Sequence, residues 1–136
     1  MNLRKNRARM GAGIALVASL AVGGFGVAAA QADPSGCTVG KPGVVKVADN
    51  GLLSAKATAT CNSSTSRVLA VEIKWDKNVL PDPLVAKNSD SGSKKSYSAS
   101  VTACDGGNTR SYYARGYFTA TSGDQHDSAG KHLTAC

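Results

Sequence analysis

The stretch Cys37–Cys61 reads CTVGKPGVVKVADNGLLSAKATATC. Its returning half alternates without a break. Leu53, Ala55, Ala57, Ala59 and Cys61 share one parity, and Lys56, Thr58 and Thr60 share the other. Successive side chains on a strand point to opposite faces, so this pattern predicts a half-buried strand. In the outgoing half, Cys37, Val39, Val45 and Val47 also share a parity, with Pro42-Gly43 an expected irregularity. Asp49-Asn50-Gly51 lies between the halves. Asn and Gly tolerate positive φ, so a hairpin turn is predicted there. Residue 49 is midway between 37 and 61. The two cysteines therefore fall level on neighbouring strands, within disulfide reach.

The pattern continues toward the C-terminus. In VLAVEIKW, Leu69, Val71, Ile73 and Trp75 point one way and Glu72 and Lys74 the other. Asp76–Lys95 holds two prolines, then Ser, Asn, Asp and Gly, and reads as a long connection. SYSASVTAC places Tyr97, Ala99, Val101 and Ala103 on one face, and Ser98, Ser100, Thr102 and Cys104 on the other. After the turn DGGN comes the strand RSYYARGYFT, then the loop SGDQHDSAG and a short last strand, KHLTAC. Helical periodicity is scarce. The expected fold is all-β, a small antiparallel β-sandwich stapled by two disulfides.

The N-terminus has a different character. MNLRKNRARM carries Arg4, Lys5, Arg7 and Arg9 and no acid. An uncharged stretch, GAGIALVASLAVGGFGVAAA, follows and closes on an A-x-A exit at Ala30 and Ala32. A basic head, a short apolar body and a small-residue exit describe a secretory signal peptide, cleaved after Ala32. Residues 1–32 are then the leader and 33–136 the secreted domain, with no stable membrane anchor. Ala8 separates Arg7 from Arg9, so a twin-arginine signal is not supported. The whole chain has 16 cations and 9 acids, a net +7; without the four leader cations it has 12 and 9, a net +3. That balance gives little reason to expect nucleic-acid binding, which needs basic residues clustered on one face.

The four cysteines, Cys37, Cys61, Cys104 and Cys136, all lie beyond the leader. An even number in an oxidising compartment reads as a disulfide framework, and no pair has the C-x-x-C spacing of zinc or redox sites. Parity favours Cys37–Cys61 with Cys104–Cys136. The order Cys61…Trp75…Cys104 resembles the immunoglobulin-like family, which would imply an intersheet Cys61–Cys104 bridge packed on Trp75. Parity opposes that pairing: Cys61 shares the apolar face of its strand, whereas Cys104 and Cys136 share polar faces. A bulge would shift the parity by one residue and reopen the choice. The Ala-rich leader, small-residue β domain and paired cysteines resemble small secreted proteins of high-GC Gram-positive bacteria.

The aromatic residues are unevenly spent. Tyr112, Tyr113, Tyr117 and Phe118 all fall in one run. Tyr112, Ala114, Gly116, Phe118 and Ala120 form a core-like face. Tyr113, Arg115 and Tyr117 stand together on the other, as an expected exposed binding surface. Arg offers a bidentate grip for anions, and Tyr a stacking face. Asp124, His126, Asp127, Ser128 and His132 are chemically suggestive types, but in a short turn they read as loop residues, with no metal site assigned. Asn62-Ser63-Ser64 matches a glycosylation sequon. Glu72 is the sole glutamate, which excludes a paired-Glu hydrolase. The expectation is a secreted, extracellular, non-enzymatic binding module without cofactor. Its partner would be an extracellular polymer, a cell-envelope component or a protein. Alternatives are an inhibitor of an extracellular protease or amylase, using the loop Asn78–Lys95, and a secreted antibacterial toxin.

Overall fold

The computed structural model describes residues 33–79, 81–119 and 124–136. The expected leader, 1–32, lies outside the described residues. Seven strands form: β1 (Cys37–Val39), β2 (Lys46–Val47), β3 (Leu53–Trp75), β4 (Leu84–Ala103), β5 (Thr109–Phe118), β6 (His126–Asp127) and β7 (Lys131–Thr134). Among the described residues there is no helix, and every strand pairing is antiparallel within one hydrogen-bonded sheet.

The opening hairpin follows the alternation. Cys37 pairs with Cys61, and a disulfide joins them. Pairing resumes at Lys46–Ser54, displaced by two residues across the Pro42-Gly43 irregularity. Pro lacks an N–H for the ladder, so the strand breaks there. Gly51 completes the turn at φ +79°, where side chains are strained, and donates its N–H to the Ala48 carbonyl at 2.8 Å.

β3 is longer than the alternation alone suggests. It runs 23 residues without interruption, joining two stretches that read as separate strands. The register shifts between Thr60 and Thr65, within the short polar run Asn62–Ser66. This run has no Pro or Gly to stop it, so the ladder continues through a bulge. The Tyr97 hydroxyl lies 2.8 Å from both the Thr65 and Gly92 carbonyl oxygens, tying the two strands together beside the shift.

The bulge lets the sheet fold back on itself. β5 pairs with the second half of β3, Leu69 to Trp75, yet packs face-on against the first half. A Cβ on Gly116 would lie 2.8 Å from the Ala57 Cβ. The Tyr97 and Phe118 rings meet edge-to-face at 5.3 Å. Leu53, Ala55, Ala57 and Ala59 thus share one core with Leu69, Val71, Ile73, Tyr112, Ala114 and Phe118. Small alanines on one side make room for the aromatic rings on the other.

Asp76–Lys95 is not one long connection. β4 starts at Leu84 and pairs along β3 from Lys74 to Leu53, so residues 84–95 of that stretch are strand. The expectation failed because Asn88 and Asp90, on the parity that faces the core residues Val71 and Leu69, are polar. They bond to β4 itself: Asn88 Nδ2 donates to the Ser100 carbonyl at 2.7 Å, and Asp90 accepts from Ser98 N–H at 2.8 Å.

Cys104 bonds to Cys136, as parity favours, and the immunoglobulin-like Cys61–Cys104 bridge does not form. The C-terminus then docks on the first hairpin, with Cys136 N–H on the Gly51 carbonyl at 2.9 Å. The two disulfides fit an oxidising, extracellular type of compartment. No helix of the described residues is long and apolar enough to cross a membrane.

Candidate binding face on strand β5

Tyr113, Arg115 and Tyr117 share the face of β5 that points away from the core, opposite Lys74, Glu72 and Ala70 of β3. They are less open than the alternation implies. Tyr113 is 8% exposed, and Arg115 and Tyr117 are half-buried. Each is covered by a carboxylate from a different element. Tyr113 O–H donates to Asp82 Oδ2 at 2.8 Å, from the loop between β3 and β4. Arg115 donates through Nε and Nη2 to the two Asp127 oxygens of β6, at 2.7 and 2.8 Å. Tyr117 O–H donates to Glu72 Oε1 of β3 at 2.6 Å and accepts from Lys87 Nζ of β4 at 2.7 Å. Three alternate residues of one strand therefore fasten a loop, the edge strands β6 and β4, and the central strand β3.

The electrostatics follow from these contacts. Burial, then the bond to Asp82, holds the Tyr113 hydroxyl well above its usual range. Burial and the Glu72 bond raise that of Tyr117. The Asp127 bond raises the Arg115 guanidinium further. The Lys87 ammonium is raised by its bond to Tyr117. Asp82 is lowered, first by the Lys77 backbone N–H at 3.0 Å and then by Tyr113. At neutral pH both phenols are neutral donors and Asp82 is ionised.

Beside Arg115 is a recess of about 260 Å³ lined by Asp76, Asp82, Tyr113, Arg115, Asp127 and Ser128, with Gly130 at its rim. It holds three carboxylates and one guanidinium. The fork that could grip an incoming carboxylate or phosphate already holds Asp127. The recess therefore disfavours anions. Its free chemistry is acceptor-rich, because the Tyr113 hydroxyl proton and the Arg115 fork are already spent on Asp82 and Asp127.

The suggestive loop residues are dispersed. Asp127 goes to Arg115, and Ser128 Oγ accepts the Ala114 N–H at 2.9 Å. His126 Nε2 sits 2.8 Å from Asp33 Oδ1, while Asp33 Oδ2 accepts the Val39 N–H at 2.8 Å, so Asp33 links β6 to β1. His132 lies exposed on β7 opposite Ser111. Among the described residues no three His, Cys, Asp or Glu side chains are grouped to hold a metal ion. Sequence reasoning missed Asp76, Asp82 and Lys87 as neighbours of the β5 face. Their positions depend on where β4 begins, and no local signal announces it.

No protein-family model matches this chain, and no curated protein matches it. Among solved structures it is similar to part of DesR, a β-glucosidase from Streptomyces venezuelae in complex with D-glucose. The TM-score is 0.45 at 13% identity, over 74% of this chain. The chain spans 15% of that enzyme's length. A likeness of that size carries no functional argument.

Proposed function

We propose that the chain is a small secreted, non-enzymatic binding protein that uses the Tyr113–Arg115–Tyr117 face and its recess. The leader is removed after Ala32, and the folded-back sheet acts as a rigid two-layer β-sandwich. The ligand is an uncharged, polyhydroxylated extracellular polymer. The observation that carries this is the occupied guanidinium fork beside three carboxylates. Such a recess repels anions, while its fixed carboxylate acceptors suit the hydroxyl donors of a sugar. Pre-bonded side chains cost little entropy on binding, which favours a polymer site with few contacts.

The test is affinity electrophoresis of the exported protein in gels containing neutral or anionic polysaccharides. Neutral polymer should retard it, and Tyr113→Phe with Asp76→Asn should abolish the retardation while the melting temperature stays within a few degrees. Retardation by anionic polymer alone, or none at all, rejects the reading.

Inhibition of an extracellular hydrolase is a second reading, confined to residues 76–83. Val79 there is 74% exposed, and Asp82 fixes the loop through Lys77 and Tyr113. Unchanged rates for a panel of secreted proteases and amylases, with the protein at micromolar levels, would dismiss it.

A further inference from the structure

β4 follows the bent β3, so its outer edge also has two parts. The direction of its backbone groups can be worked out. The Thr58 carbonyl accepts the Gly40 N–H at 2.9 Å, on the β1 side of β3. In an antiparallel ladder both backbone groups of one residue point the same way. The Thr58–Ser98 pair is therefore the non-hydrogen-bonded kind, and Ser98, Ser100 and Thr102 turn their N–H and C=O groups away from β3. Asp90 caps the Ser98 N–H and Asn88 caps the Ser100 carbonyl. Among the described residues, no side chain caps Thr102.

Two recesses meet at this uncapped end, and both are lined by Ser100, Val101 and Thr102. One, of about 280 Å³, opens toward Lys46, Ser54 and Lys56. The other, of about 440 Å³, opens toward Lys87 and Asn88. Neither is lined by a carboxylate. A strand added to an edge sends alternate side chains to opposite faces. Here each flank of the edge has space, and one carries Lys46 and Lys56, while Lys87 on the other is held by Tyr117 and Glu72.

We propose that the Ser100–Thr102 edge of β4 is a docking site for an extended acidic segment of a partner protein, added as a strand. Its backbone pairs with the uncapped Thr102 groups. Its alternate acidic side chains reach Lys46 and Lys56 on one flank, and the side chains between them enter the recess beside Asn88 on the other. Charge complementarity identifies the occupant, and the strand edge distinguishes it from a polyanion that needs only the lysines. The site is separate from the β5 recess, so either can fail alone.

The test is a phage-displayed library of random octapeptides selected against the exported, disulfide-bonded protein, with the best peptide then synthesised. Selected peptides should carry acids at alternate positions. N-methylation of alternate peptide bonds should weaken binding about tenfold, the loss of one or two hydrogen bonds. Lys56→Glu and Thr102→Pro should each do the same; the Thr102 N–H points away from β3, so proline there spares the ladder. If Thr102→Pro fails to fold, the N-methylated peptide still decides the matter. No enrichment, equal affinity after N-methylation, or equal competition by disordered polyglutamate overturns the proposal. A dimer in sedimentation that Lys56→Glu disrupts also overturns it, by giving the edge to a second copy.

Discussion

Gly116→Ala tests the contact on which the folded-back sheet depends. The new Cβ would sit 2.8 Å from the Ala57 Cβ and 3.3 Å from the Pro42 Cγ. Relaxed carbon pairs lie about 3.5–4.0 Å apart, so the deficit is about 1 Å. Both offending atoms are bonded close to backbone, and no rotamer change removes them. The sheet halves must part, at a cost of about 1–3 kcal/mol for overpacking. Stiffening the unfolded chain offsets about 0.4–1 kcal/mol of that. The expected net loss is about 1–2 kcal/mol, which lowers the melting temperature of a domain near 100 residues by about 5–15 °C. Ala57→Gly alone loses a buried methyl and adds strand entropy, about 1–2 kcal/mol together. In the double variant the clash is gone, so the two losses should fall short of additive by about 1–2 kcal/mol. Urea unfolding followed by Trp75 fluorescence gives all four stabilities. A neutral Gly116→Ala, or additivity within about 0.5 kcal/mol, refutes the close approach of β5 to the first half of β3.

Three further outcomes follow from the same contacts. Replacing Cys104 and Cys136 together by alanine opens a loop of sequence separation 32, and chain entropy predicts a loss of about 3–4 kcal/mol, read from the urea midpoint together with a steeper slope as the unfolded chain expands. Burial, with the Asp105 bond at 2.6 Å, pushes the Tyr112 hydroxyl up to about 12. Tyr113 and Tyr117 are raised too. The folded state holds these protons more tightly than the unfolded chain, whose tyrosines titrate near about 10. The phenols' contribution to stability should be constant below pH about 10 and fall as pH rises to about 12, with absorbance at about 295 nm showing late ionisation of these phenols; a phenol titration complete by pH about 10.5 contradicts this. Asp82→Asn should speed amide exchange at Lys77 and free the Tyr113 hydroxyl, with little change in core amides such as Val71; unchanged exchange at Lys77 removes Asp82 as the loop's anchor.

The strands were legible wherever burial is one-sided. Alternation over Leu53–Cys61 and Leu69–Trp75 marks strand and face together, because a strand that covers a core on one side must alternate. The disulfide pairing was legible for the same reason: parity and the turn at Asp49–Gly51 place Cys37 opposite Cys61. The first third of β4 was not. Asn88 and Asp90, which pair with the core residues Val71 and Leu69, cap the edge of the strand's own second half, so they are polar where a core face would be apolar. The face of Tyr113, Arg115 and Tyr117 was also found by parity, but its openness was overstated. Alternation reports which way a side chain points, and says nothing of what another element lays over it.

The chain's order of residues determined the all-β character, the facing of its main strands and the two sulfur bridges, since these rest on spacing between near neighbours or on hairpin symmetry. Tertiary structure decided that β3 is one strand bent back through a bulge, that the carboxylates of Asp82, Asp127 and Glu72 converge on β5, and that β4 keeps one uncapped edge. Those features join residues as distant in the chain as Ala57 and Gly116, or Glu72 and Tyr117. Contacts at such separations arise only when the core closes, because local propensity has no influence over how distant segments come to face each other.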